Sequence, residues 1–319
     1  MITEAAVRTV GLSKMYPGDV LAVDQLDLEV HRGELFGLLG PNGAGKSTTA
    51  GMLTGRVVPT AGLAEVAGID VWQRTEVAKQ VIGVVPQSNT LDRALSVRDN
   101  LYHHGRYFGM SRAASREGAD RLLEQFRLTE RADAPVLALS GGMAQRLMVA
   151  RAIMHGPSVL FLDEPTTGLD PQSRLALWDI LRDLRTAGQT IVLTTHYMEE
   201  AEQLCDRLAI IDHGRLLKLG TPAELIEEVG GDVVVTVSIV ASDGAAERLA
   251  QALAALTEVS SAEAVGDASV RAVVASRDGA LPAIVAAADG DGVELRDLSV
   301  AEPSLETVFI ELTGRELRD

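Results

Sequence analysis

The sequence predicts an α/β fold built on a mainly parallel sheet, followed by a smaller α+β unit. Three observations carry this. Short, nearly continuous apolar runs alternate with amphipathic stretches of helical period through most of the chain. One of these runs passes through a glycine-rich loop directly into a helix. The composition then shifts at "EEVGGD", Glu227 to Asp232, after which strands of period two take over.

The elements follow in order. Val7 to about Gly33 reads as antiparallel strands with a turn at Pro17-Gly18-Asp19. "GELFGLLGPNGAGKSTTAGMLTG" runs from strand to loop to helix. Leu101 to Leu137 favours helices and is assigned to a helical subdomain spanning about 88–154. "PSVLFLDEP" and "QTIVLTTH" are apolar enough for strands buried on both faces, and "SRLALWDILRDLRTAG" between them is an amphipathic helix closed by glycine. "DRLAIIDHGRLL" predicts strand, turn and strand. The first domain is therefore placed at 1–230 and the second at 231–319, with no internal repeat. The second reads strand, helix, strand, strand, helix, strand, the order of a ferredoxin-like unit. Its parts are "DVVVTVSIV", a stripe of Leu249, Leu253 and Leu256, then "ASVRAVVA", "ALPAIVAAA" and "VELRDLSV". Leu305, Val308, Phe309 and Leu312 form a last amphipathic stripe, read as core.

Composition excludes several classes. The 319 residues are 46% hydrophobic and only 3% aromatic, so aliphatic side chains and alanine must fill the core. A net charge of -16 argues against a general nucleic-acid binder, which needs a basic surface. The one cysteine, Cys205, excludes an intrachain disulfide and reads as a buried thiol. No apolar run approaches the ~18 residues that suggest a membrane span. "MITEAAVRTV" lacks the regions of a signal peptide, which places the chain in the cytoplasm unless a partner tethers it.

"GPNGAGKS", Gly40 to Ser47, fits G-x-x-x-x-G-K-[ST] between a strand and a helix. The backbone N–H groups of Gly43, Gly45, Lys46 and Ser47 can cradle phosphates, Lys46 can neutralise them, and the Ser47 hydroxyl can ligate Mg²⁺. Asp163 and Glu164 end a buried strand, where carboxylates are costly without work or partners. Asp163 suits a metal shell and Glu164 the activation of water. His196 ends another apolar strand and reads as a structural histidine or a γ-phosphate contact. Gln87 reads as a turn residue or a site residue, and Tyr16 as packing or a turn cap. "LSGGMAQR", Leu139 to Arg146, reads as a helix-capping turn or an anion-facing one. Glu199, Glu200 and Asp206 are assigned to a solvated polar face.

Together these segments resemble the ATP-binding subunits of ABC transporters, from about Val7 to Leu225. The resemblance implies an ATPase using ATP and Mg²⁺. Tyr16 would stack on adenine. The phosphate loop would be Gly40, Pro41, Asn42, Gly43, Ala44, Gly45, Lys46, Ser47 and Thr48. Gln87 would touch Mg²⁺ and sense the membrane partner. Asp163 would hold the metal, Glu164 would catalyse, and His196 would be the switch histidine. Asp170 would lie at the seam of a dimer. Ser140, Gly141 and Gly142, in the family's signature motif, would contact ATP held by the opposite protomer. Met143 departs from the motif, which commonly has glutamine there. "EPTTGLDPQSR", "TTHYMEEAEQLCDRLAIIDHG" and "PSLETVFIELTGREL" further resemble the drug- and antibiotic-resistance branch, of the daunorubicin-resistance type. That implies export of a drug, antibiotic or lipid-like compound through a separate permease, with the chain at the cytoplasmic face of the membrane as a homodimer. The alternatives are a soluble ABC ATPase on ribosomes or DNA, disfavoured by the single nucleotide module and the acidic charge, and an import ATPase. Tyr102, Tyr107 and Phe108 read as core packing, with a permease groove as the alternative.

Overall fold

The computed structural model describes residues 5–228, 233–240, 244–274, 277–301 and 304–313. The end of the "EEVGGD" stretch and the tail from 314 lie outside these residues. The chain divides into two compact units, the second beginning at Ala223. That is slightly ahead of the composition shift, because the helix Pro222–Glu228 straddles the division.

The first unit is organised by a six-stranded sheet. Its strands lie in the order Arg215–Gly220, Arg207–Asp212, Leu35–Leu39, Thr190–Thr195, Val159–Asp163 and Ile82–Val85. All neighbours pair in parallel except the hairpin partner Arg215–Gly220 at one edge. Leu35–Leu39 and Thr190–Thr195 are buried along their whole length, as strands covered on both faces must be. Register does the positioning. Leu39 pairs with Thr195 and Asp163 with Thr194, so Gly40, Glu164 and His196 leave the sheet together at its carboxyl edge.

A four-stranded antiparallel sheet of Val20–His31, Ala5–Tyr16, Ala61–Val66 and Ile69–Asp70 shares a core with the central sheet. Val7, Leu12 and Val30 from the former pack in one cluster with Phe36, Leu38, Phe161 and Val192 from the latter. The helices Val97–Tyr107, Arg112–Gln125 and Gly141–Ala152 each start at a serine, Ser96, Ser111 and Ser140, whose hydroxyl accepts a first-turn N–H. Asp170 does the same for Pro171–Thr186, with proline at the first helical position.

Two side-chain expectations are overturned. Tyr107 is 92% exposed and is not core, while Phe108 stacks on His155 with ring centroids 3.8 Å apart. Glu200 is 1% exposed rather than solvated, because the helix Met198–Leu204 turns it inward beside Ala201 and Leu204. Its neighbour Glu199 does lie outward, 3.9 Å from Arg174. Cys205 is buried, and burial pushes its thiol pKa well up.

The second unit orders its strands Val259–Ala264, Ser269–Val274, Val233–Ile239 and Leu295–Ala301, all antiparallel. The helices Ala245–Ala254 and Arg277–Gly290 complete the ferredoxin-like order. Val233, Val235, Val237 and Ile239 point inward to Leu249, Leu253 and Ile284 in one core. Leu256 falls just beyond its helix but packs on that core. Leu305, Val308 and Phe309 are buried on the helix Leu305–Thr313.

Candidate active site

The glycine-rich loop is held open by its backbone. Gly45 stands at φ 102° at the mouth of the helix Lys46–Leu53, where a β-carbon would meet the Ala22 carbonyl oxygen. The helix N-terminus thus faces the carboxyl edge of the sheet with its first N–H groups uncapped by any side chain.

Lys46 is buried, with 4% of its surface accessible. Its ammonium donates to the carbonyls of Gly40 at 2.8 Å and Pro41 at 3.0 Å. Burial lowers its pKa, and the charge of Glu164, 3.5 Å away, opposes that shift. The ammonium is therefore kept dry and already partnered by oxygen.

Glu164 is the hub. Its Oε1 lies 3.5 Å from Lys46 Nζ and 3.3 Å from His196 Nδ1. Its Oε2 accepts from Gln87 Nε2 at 3.1 Å and from Thr167 Oγ1 at 3.3 Å. Its backbone sits at φ 48°, in the left-handed region, secured by N–H donation to the carbonyl and hydroxyl of Thr194. Asp163 accepts from Ser47 Oγ at 3.0 Å and Thr194 Oγ1 at 2.7 Å. Ser47 and Asp163 thus present two hard oxygen donors side by side, a donor set that fits Mg²⁺, which takes few protein ligands and completes its shell with phosphates and water.

The structure brings Lys46, Ser47, Gln87, Asp163, Glu164 and His196 into one cluster. Other predicted residues stand apart from it. Tyr16 ends its strand partly exposed, with Lys14 Nζ 5.0 Å from the ring centroid. Ser140 caps its own helix by accepting from Met143 N at 3.3 Å, and among the described residues it has no hydrogen bond to the cluster. Gly142 abuts Ser173, whose hydroxyl a β-carbon would strike, whereas Gly141 faces open space. Asp170 accepts from Ser173 N and Oγ, and these bonds hold its carboxyl pKa down.

Sequence reasoning missed Thr194 and Thr167. Thr194 bridges Asp163 to the Glu164 backbone. The signal was there: a hydroxyl at the end of a fully buried strand must find a partner, and the free lone pairs lie on the neighbouring carboxylate.

Residues 23–167 match the ABC transporter family. The Nod factor export ATP-binding protein I of Cupriavidus metallidurans is 48% identical over 307 residues, covering 96% of each chain. The protein of the same name from a Rhizobium species is 44% identical over 99% of each. Among solved structures, an ATP-binding subunit of an ABC transporter superposes with a TM-score of 0.64 at 29% identity, covering 70% of this chain and 93% of that one. CbiO1 of Clostridium perfringens, described as part of the CbiONQ transporter complex, gives 0.66 at 26%, covering 70% and 92%. Phosphate loop, paired carboxylates, ordered histidine and near full-length similarity agree, and the chain belongs to the ATP-binding proteins of ABC transporters, whose chemistry is ATP hydrolysis.

Proposed function

We propose that this chain is the ATPase of an exporter, driving a separate membrane permease that moves a drug, antibiotic or lipid-like compound. The observation that carries the chemistry is the convergence of Lys46, Gln87 and His196 on Glu164. ATP enters with its phosphates over the uncapped N-terminus of Lys46–Leu53, where backbone N–H groups and the helix dipole favour anions. Lys46 exchanges Glu164 for the β- and γ-phosphate oxygens. That frees Glu164 to take a proton from the attacking water, with Gln87 donating to one of its oxygens and His196 beside the other. Ser47, Asp163 and Gln87 would hold Mg²⁺, which would supply charge neutralisation at the phosphates. Tyr16 stacks on the adenine.

The turn Ser140-Gly141-Gly142 completes the site from a second copy, so ATP sits between two protomers and Asp170 lines their seam. Gly141 suits this, since it faces open space. Met143 keeps its backbone bond to Ser140 but lacks the amide that glutamine would offer the ribose. Closure of the dimer moves the helical subdomain and, with it, the permease.

No helix among the described residues is long and apolar enough to cross a membrane. The reading therefore puts the chain at the cytoplasmic face, peripheral and bound through its permease, with no nucleic-acid partner. Export rests on the names of the relatives, which are Nod factor export proteins, and on the resemblance of the segments quoted above to the drug-resistance branch. The test is purification from membranes in mild detergent, with identification of what co-purifies and an ATPase assay of the complex. A multispanning partner and ATP-driven outward transport support the reading. A ribosomal or DNA partner, or inward transport, refutes it.

A further inference from the structure

Glu200 lies outside the cluster just described, yet it is among the most deeply buried charged groups of the first unit. Trp178 Nε1 donates to its Oε1 at 3.2 Å. The hydroxyls of Thr166 and Thr195 and the guanidinium of Arg174 surround the same carboxylate. These neighbours come from three different arms of the site. Thr166 follows Glu164 in the turn that leaves the sheet. Arg174 and Trp178 belong to the helix capped by Asp170. Thr195 immediately precedes His196, and its hydroxyl accepts the Tyr197 N–H at 3.0 Å, which closes the turn carrying His196.

A second line of contact runs the same way. The Arg174 guanidinium lies 5.4 Å from the Tyr197 ring centroid, and that ring meets the His196 imidazole with centroids 4.1 Å apart. Glu200 Oε2, Thr166 Oγ1 and Arg174 Nε are each buried without a hydrogen-bond partner. Acceptor, hydroxyl and donor of complementary polarity therefore meet in one dry place. An apolar side chain would fill that space without the cost of desolvating a carboxylate. What a carboxylate adds is direction: it can hold several donors from separate segments in one fixed relation.

We propose that Glu200 is a positioning residue of the ATPase, the strut that fixes the His196 turn against the Glu164 turn and the Asp170 helix. The inference rests on the site assignment proposed above. Glu200 touches neither substrate nor the reacting atoms. It acts through its hydrogen bond to Trp178 and through the Thr195, Thr166 and Arg174 side chains that crowd its carboxylate.

The experiment uses the full chain and single-turnover hydrolysis of radiolabelled Mg-ATP with protein in excess, alongside equilibrium ATP binding and thermal melting. Glu200→Ala should slow hydrolysis about 10- to 100-fold, the scale of a misplacement of about 1 Å at a reacting group. Its ATP affinity should stay within about threefold of wild type, because the phosphate loop is untouched. Glu200→Gln keeps the size and an acceptor for Trp178, and should restore the rate to within about threefold. A wild-type rate in Glu200→Ala overturns the proposal. So does a joint fall of rate, affinity and melting temperature that Gln does not rescue, since that is the mark of general packing. If Glu200→Ala does not fold, Trp178→Phe removes only the N–H donor, and an unchanged rate there overturns the proposal equally. Glu164→Gln, run in parallel, separates the two readings. If Glu164→Gln hydrolyses normally, the site assignment itself is wrong. If it is slow while the Glu200 variants are normal, only the strut fails.

Discussion

Replacing Glu164 with Gln should separate binding from chemistry, and the structure sets the size of each effect. Glutamine keeps the length of the side chain and an oxygen to accept from Gln87 and Thr167, and it leaves the φ of 48° unchanged, so the turn should persist. It cannot serve as a base. Hydrolysis should therefore fall about 10²–10⁴-fold, equivalent to about 2.7–5.4 kcal/mol in the barrier. The nucleotide-free protein should also suffer. Lys46 is buried beside Glu164, and after the change it keeps the Gly40 and Pro41 carbonyls and the more distant charge of Asp163 but loses its nearest anion. Loss of one charged partner from a buried group costs about 1–3 kcal/mol. At about 2–4 °C per kcal/mol for a unit of this size, the melting temperature should drop by roughly 2–12 °C. Mg-ATP should reverse this, because the phosphates supply the negative charge that the substitution removed. Saturating nucleotide adds about 2.7 kcal/mol at 100 Kd, so the ATP-induced rise in melting temperature should exceed that of wild type. The assay is paired: phosphate release, and melting curves with and without Mg-ATP. Hydrolysis within a few-fold of wild type would refute Glu164 as the base. An unchanged melting temperature without nucleotide would refute the Lys46–Glu164 pair as a feature of the resting protein.

Three further predictions follow from the same geometry. Lys46→Ala should abolish most ATP turnover and weaken nucleotide affinity, read by phosphate release and equilibrium binding; wild-type turnover in a folded variant would sink the loop assignment. In the Glu164→Gln background, Mg-ATP should accumulate a closed dimer in the complex with its permease, and adding Ser140→Arg should abolish it. Cross-linking with Mg-ATP, Mg-ADP and no nucleotide reads this, and closure that survives Ser140→Arg would disprove the composite site. A chain ending at residue 228 should still bind ATP, because no member of the Lys46–Glu164 cluster lies beyond His196; a soluble truncate without ATP affinity would show that the second unit contributes to the site.

Much of this architecture was legible because it is written in short range. A strand buried on both faces needs a continuous apolar run, such as "VLFLD" at Val159–Asp163, and a helix needs a cap such as Ser140 or Asp170. Period two along Val233–Ile239 told which residues face inward, and the order of elements in the second unit was enough to name its topology. The loop Gly40 to Ser47 could be read for the same reason: its chemistry is carried by neighbouring backbone groups.

Tertiary structure decided what depends on segments far apart in the chain. Ser47 meets Asp163 across 116 positions, and Gln87 meets Glu164 across 77. No local pattern shows that Glu164 gathers Lys46, Gln87 and His196 around its two oxygens, because the register between Leu35–Leu39, Thr190–Thr195, Val159–Asp163 and Ile82–Val85 places them. Polarity misled where packing ruled. Glu200 is a charged residue of a polar-looking stretch, yet it is buried and bonded to Trp178, 22 positions away. Tyr107 is aromatic and fully outside. A side chain's burial follows from which surface its element turns to the core, and that surface is chosen only when the sheets and helices close on one another.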